Sequence, residues 1–323
     1  MRTFGLALLA SLALANCSNA ASEPQPAAVA QPEPPPPPPP PPPSPIPPEV
    51  EERLLTVSVE ISGSLEGSLR RVLADEVASP LSQVTARMLV WWVDVARDLR
   101  RGDTLDIVYE LPPGKEPLLH AVRFNSGKNG RAHRAYRFQP EGFPYGRYFD
   151  EDGTEIEKTL KDSPIDTYEQ ITSVLNDGRR HRGVDFKAPT GTPVKMPFDA
   201  TLTRKNWKSR GNGNCLEFKD RQGRRIIFLH LDELPQDLKV GKLYKTGEVV
   251  AQSGNTGRSF APHLHYQLET AKGKILDPFK EHETFRRTLP DGEKARFDAT
   301  AQRYDELLSK DAAPQPSTAA NAP

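Results

Sequence analysis

The sequence predicts a mainly β protein: an antiparallel β-sheet domain preceded by a small α+β domain and a proline-rich linker. Three observations carry that expectation. From Ile171 to about Phe279, short apolar and β-branched runs are divided by Gly, Pro and Asn, the texture of antiparallel strands joined by tight turns. Between Leu54 and Asp150, strand-like alternation and one helical period share a block. Ahead of both lies an unbroken proline run, Pro34 to Pro43, which cannot join a packed core.

The chain has 323 residues, room for two modest domains once the ends are set aside. Residues 1–20 place Arg2 ahead of the apolar run Phe4 to Ala15 and then small residues, the layout of a secretory signal peptide. That run is short for a bilayer span, and no later stretch is long and apolar enough to make one. Leu14-Ala15-Asn16 ahead of Cys17 resembles a bacterial lipobox, which implies a lipid anchor on Cys17 and a periplasmic protein tied to the cell envelope. Cys215 is the one other cysteine, so no intramolecular disulfide is expected after cleavage. Residues 21–50 read as a polyproline spacer reaching on the order of 90 Å.

In the 54–158 block, Thr56 to Ile61 alternates, with Val57, Val59 and Ile61 on one face. Leu81, Val84, Met88, Trp91, Val95 and Leu99 recur at steps of three and four, predicting an amphipathic helix ended by Gly102-Asp103. Trp91 and Trp92 read as core. Thr104 to Leu111, Val122 to Phe124 and Ala135 to Phe138 read as strands. In the 165–290 β domain the strand-like runs are Gly183–Phe186, Pro193–Met196, Cys215–Phe218, Ile226–Leu229, Val249–Gln252 and His263–Leu268. Glu281 to Ser309 reads as helical with a break at Leu289-Pro290, leaving a C-terminal helix over 291–309 and an unstructured tail over 310–323.

Lys and Arg total 43, as do Asp and Glu, so no net charge draws the chain to nucleic acid. The chemistry lies in the histidines, of which there are seven. His181 and Asp185 sit in His-Arg-Gly-Val-Asp. His263 and His265 flank Leu264, and on a strand the period of two puts both imidazoles on one face and Leu264 in the core. His230 ends the apolar run Ile226 to Leu229. Two histidines and one aspartate are the donor set of a hydrolytic zinc site with one open position. Such a site makes water a nucleophile near neutral pH, a neighbouring neutral histidine can take its proton, and another can bond a developing oxyanion. His120, His133 and His282 have polar surroundings and no partner at ligand spacing, and read as surface residues.

The stretch from His181 to Val194 resembles the first metal motif of the lysostaphin/LytM-type zinc metallopeptidases, the murein endopeptidases. Ser253 to Tyr266 resembles the second, and Phe228-Leu229-His230-Leu231 stands where that family has an aromatic-x-His-Leu. The resemblance implies a LytM-type (duplicated hybrid motif) peptidase domain, one zinc ion per chain held by His181, Asp185 and His265, His263 as general base and His230 as stabiliser of the transition state. It implies peptidoglycan as substrate, with a stem-peptide cross-link cut at the D-Ala–diaminopimelate bond or elsewhere in the stem peptide. Trp92 to Asp103, Tyr148 to Gly153 and the approach from Lys161 to Pro164 resemble members whose N-terminal domain can fold over the groove, which implies that residues 54–158 either lower activity or serve as a scaffold or spacer. The chain departs from that group in lacking a LysM module and in a shorter loop, Asn176 to Arg180, before His181. Two rivals stand beside this reading: a catalytically silent activator of an amidase, and a structural lipoprotein tethering membrane to wall.

Overall fold

Strands Leu55–Glu60, Thr104–Glu110, Leu118–Ser126, Arg131–Phe138 and Arg147–Phe149 form an antiparallel meander in which each pairs with the next along the chain. The computed structural model describes residues 46–175, 177 and 181–310, all within one compact unit that begins at Pro43. The expected signal peptide, the Cys17 anchor, most of the linker, the loop before His181 apart from Asp177, and the tail from 311 lie outside the described residues. No helix among the described residues is long and apolar enough to cross a membrane.

Alternation along the meander strands decides what each face buries. Val57, Val59, Leu105, Ile107 and Phe124 join a core closed by helices Leu65–Leu69 and Asp75–Leu89. Val108, Ala121, Tyr136, Phe138 and Phe149 turn the other way and are covered by helix Lys294–Lys310 through Phe297, Tyr304 and Leu308. The end of the chain thus returns to roof the N-terminal sheet. Polar groups caught between the layers are paired, as in Arg123 Nε to Asp106 Oδ2 at 2.8 Å.

Several expectations for these elements are corrected. The helix runs Asp75–Leu89 with Pro80 inside it, and from Val90 the chain proceeds through turns. Trp91, Trp92, Val95 and Leu99 still pack on the same core, so the periodicity reported burial where the helix had already ended. Trp91 and Trp92 are half-buried, Trp91 lying edge-on to Phe279 at 5.3 Å where the two cores meet. His120 and His282 are buried, not on the surface, because each has a partner distant in sequence: Tyr304 Oη at 3.1 Å and Tyr266 Oη at 2.8 Å. His133 is half-buried and stacked on Trp92. Of the expected helical stretch from Glu281, Thr284–Phe285 is a short strand paired with Thr159–Leu160, and the helix begins at Lys294.

The second sheet is antiparallel and runs Leu243–Tyr244, Ala200–Lys205, Asn214–Asp220, Arg225–Leu231, His263–Glu269, Val184–Lys187, Gln170–Ser173, with Ile275–Leu276 beside His263–Glu269. Pro193–Lys195 and Val249–Gln252 pair separately. Phe186, Phe218, Phe228, Leu264 and Tyr266 form its core. The six expected β runs are all strands. Ala200–Lys205 and the edge strand Gln170–Ser173 add two strands to them, each short and alternating in burial at its start. The fold is mainly antiparallel β, as the sequence predicts.

Candidate metal centre

Strand His263–Glu269 lies between Arg225–Leu231 and Val184–Lys187, and its register sets His265 opposite Asp185 and Leu264 opposite Phe186. Leu264 is fully buried, so His263 and His265 share the other face. Gly183 brings the preceding residues close. A Cβ there would fall 2.3 Å from the Tyr266 carbonyl oxygen and 3.0 Å from the His265 ring. Only glycine allows that approach, and it delivers His181 to the same point. His181 Nε2 lies 3.0 Å from His265 Nδ1 and 3.1 Å from Asp185 Oδ1, and His265 Nδ1 lies 2.8 Å from Asp185 Oδ1.

Those spacings test the fit of a metal. Protons can serve the two contacts to the carboxylate, yet they leave two ring nitrogens at 3.0 Å unexplained. A cation at the centre accounts for all three contacts. Donors about 2.0–2.1 Å from a tetrahedral zinc sit about 3.3 Å apart, close to what is found. Two imidazoles and a carboxylate are also the donor chemistry zinc prefers. Burial would raise the Asp185 carboxyl, but its side-chain contacts with His181 and His265 outweigh it and hold the group far below the usual carboxylate range. Burial lowers His181, and its bond to Asp185 more than reverses that, for a net rise.

The far nitrogens of both rings are tied down. His181 Nδ1–H donates to Ser173 Oγ at 2.7 Å, and Ser173 Oγ–H donates to Asp177 Oδ2 at 2.5 Å. His265 Nε2–H donates to Gln267 Oε1 at 3.3 Å, and Gln267 Nε2 donates to Glu269 Oε1 at 2.5 Å. Arg182 and Arg225 hold Glu269 in turn. These bonds fix the tautomers and aim lone pairs at the shared centre, as outer partners of metal-bound histidines do. None of the four supports was anticipated. Gln267 and Glu269 had a usable signal, a step of two along the strand from His265, whereas Ser173 and Asp177 meet His181 only through the fold.

His263 and His230 stand beside this triangle. His263 Nδ1–H donates to the Ala261 carbonyl at 2.8 Å, leaving Nε2, which lies 3.9 Å from Asp185 Oδ1. His230 has a left-handed backbone, φ 60°, uncommon outside glycine. Its Nδ1–H donates to the Thr256 carbonyl at 2.9 Å, and its ring centroid is 4.8 Å from that of His263. Burial lowers the His230 pKa, with the Thr256 bond opposing and His263 adding to the fall. The neutral ring therefore carries its lone pair on Nε2. All five residues singled out in the sequence are thus gathered in one place.

A cleft of about 570 Å³ opens beside them, lined by Asp185, His263 and Phe260. Its other wall comes from the N-terminal block, through Arg87, Lys115 and Glu116. Glu116 reaches Arg87 and Lys187, each at 2.8 Å.

The profile of Peptidase family M23 matches residues 179–278. Peptidoglycan DD-endopeptidase ShyB of Vibrio cholerae is 30% identical over 80% of this chain and 61% of its own. DD-carboxypeptidase/endopeptidase Mpg of Neisseria meningitidis is 30% identical over 78% of this chain and 60% of its own. The chain therefore spans about three fifths of the length of these relatives. A zinc containing peptidase from Vibrio cholerae is 28% identical, covering 74% of this chain and 72% of that one at a TM-score of 0.34.

Proposed function

The chain belongs to peptidase family M23 through residues 179–278, and on that premise we propose that it is a zinc endopeptidase cutting stem-peptide cross-links of peptidoglycan at the D-Ala–diaminopimelate bond. The observation that carries the reading is the convergence of His181 Nε2, Asp185 Oδ1 and His265 Nδ1 within hydrogen-bond distance of one another. These three residues would hold the ion. When bound, zinc supplies an activated water and a Lewis acid for the scissile carbonyl.

The chain's own residues do the rest. His263 offers Nε2 as proton acceptor, because Ala261 occupies its other nitrogen, and the proton taken there is passed on to the leaving amine. His230 offers Nε2 on the adjacent side. Negative charge developing on the oxyanion would favour uptake of a proton from solvent at that Nε2, which would then donate to it. Cross-linked peptidoglycan lies outside the cytoplasm, in keeping with the export signal read over 1–20 and the anchor read at Cys17. A silent amidase activator or a purely structural tether would give the converging donors and their buried supports no purpose.

Metal analysis and digestion of purified sacculi test the assignment. The chain should carry about one zinc and release cross-linked stem peptides. His265→Ala and Asp185→Ala should each lose most of the metal and all hydrolysis. Full zinc and full activity in either variant would sink the ligand set.

A further inference from the structure

The cleft has two unlike walls, and neither is explained by the metal centre. On the peptidase side, Phe260 is 96% exposed, more than any other large apolar side chain among the described residues. It sits three positions before His263, and a ring so placed gains by covering apolar carbon of a ligand. On the other side, the turn Gly114 to Glu116 is pinned in place. Lys115 N–H donates to the Pro112 carbonyl at 3.1 Å, and the Glu116 carboxylate is engaged by Arg87 and Lys187. Lys187 is also held by Glu169 at 3.0 Å. The Lys115 ammonium has no ion-pair partner among the described residues, so one uncompensated cation faces the cleft with two paired cations behind it. Lys187 lies directly opposite His263 in the strand register, so whatever fills this space lies next to the bond being cut.

We propose that the space between Phe260 and the 114–116 turn is a subsite for a stem-peptide residue adjoining the scissile bond. Phe260 covers the residue's methylene chain and Lys115 pairs with its free carboxylate. The assignment rests on the proposed peptidoglycan activity, and it gives the 114–116 turn of the N-terminal block a part in holding substrate, the opposite of the lowered activity that is one of the two expectations for that block from its sequence. Stem peptides carry free carboxylates on their acidic and diamino acid residues, so the charge is complementary. An exposed pair of this kind is modest in strength and acts chiefly on selectivity.

The test is binding of an uncut tetrapeptide stem to the full chain by titration calorimetry, with the peptide's carboxylates either free or amidated. Lys115→Ala should weaken binding of the free-carboxylate peptide roughly three- to fivefold and leave the amidated peptide unmoved, with Lys115→Arg restoring the difference. Phe260→Ala should weaken both peptides, by about tenfold. With cross-linked muropeptides, KM should follow these changes while kcat stays within about twofold. Equal effects of Lys115→Ala on both peptides, or none on either, would overturn the subsite. A chain that binds in the expected pattern but cuts no cross-link would uphold the subsite and remove the proposed reaction.

Discussion

His263 and His230 each give Nδ1 to a backbone carbonyl, whereas His181 and His265 give their far nitrogens to side chains. The carbonyls leave Nε2 of each ring as a proton acceptor beside the triangle; the side-chain relays leave lone pairs facing a common centre. That difference separates the proposed chemical role from the proposed ligand role. His263→Ala should keep its zinc and lose rate by roughly a hundredfold or more, read by metal analysis beside hydrolysis of sacculi. Metal lost from His263→Ala but kept by His265→Ala would exchange the two roles. Ser173→Ala should fold and still bind zinc, about ten- to a hundredfold more weakly, as measured by competition with a chelator. Unchanged affinity would reduce Ser173 to a packing residue. The facing of His263 and His265 was legible in the sequence because a strand's period of two needs no tertiary knowledge. Ser173 and Asp177 were not legible, since what joins them to His181 is a bulged pairing between Gln170–Ser173 and Val184–Lys187.

At the scale of elements, the site depends on strands brought unusually close. Gly183 passes over the backbone of Tyr266, and Gly254 passes over Leu231, where a Cβ would lie 2.4 Å from Asp232 N. Backbone atoms cannot swing aside as a flexible side chain can, so a methyl group at either point must push strands apart. Gly183→Ala should therefore cost about 2 kcal/mol or more. It should also weaken zinc binding by displacing His265, the ring its Cβ would touch. Urea unfolding with and without zinc checks both, and wild-type values in both would refute the close-approach argument. The glycines were visible in the sequence as punctuation, which located the turns and strands well. The helix was less legible: apolar steps of three and four continue past Leu89, yet Trp91, Trp92, Val95 and Leu99 reach the core from turns. Periodicity records which side chains are buried, and a helix is only one way to bury them.

Over the whole molecule, the N-terminal sheet is joined to the helix Lys294–Lys310 by contacts that no local pattern announces. Tyr136 donates to Asp305 across 169 positions and His120 meets Tyr304 across 184, so the roofing of the N-terminal sheet by Lys294–Lys310 could not be read from either segment. The junction between the sheets holds a second hidden feature. Arg147, on the last meander strand, faces two buried carboxylates, Glu157 at 3.4 Å and Glu155 at 3.7 Å. Glu157 also accepts from the backbone N–H of Ile171, on the edge strand of the peptidase sheet, at 3.0 Å. Neither carboxylate oxygen of Glu155 has a hydrogen-bond partner among the described residues. Arg147 faces both charges, and Arg287 adds to it only at Glu155. Burial raises Glu157 to about 7, with Arg147 opposing and Glu155 adding to the rise, and burial likewise raises Glu155 against Arg147 and Arg287. A carboxyl with a raised folded pKa binds its proton more tightly in the native state. Its contribution is therefore gained as pH falls from about 7 towards the ordinary 4.5 and lost again above 7. At roughly 1.4 kcal/mol per unit, the ceiling for Glu157 is about 3 kcal/mol. His120, buried and depressed to about 4, works the other way and loses stability as pH falls below the ordinary 6.5. Comparing Glu157→Gln with the wild-type chain cancels that term. The amide keeps an acceptor for Ile171 and removes the charge, so the variant should match the wild type near pH 5 and exceed it by one to three kcal/mol, roughly, at pH 8. Parallel stability curves from pH 5 to 8 would mean that Arg147 already neutralises Glu157 and that the junction carries no excess charge.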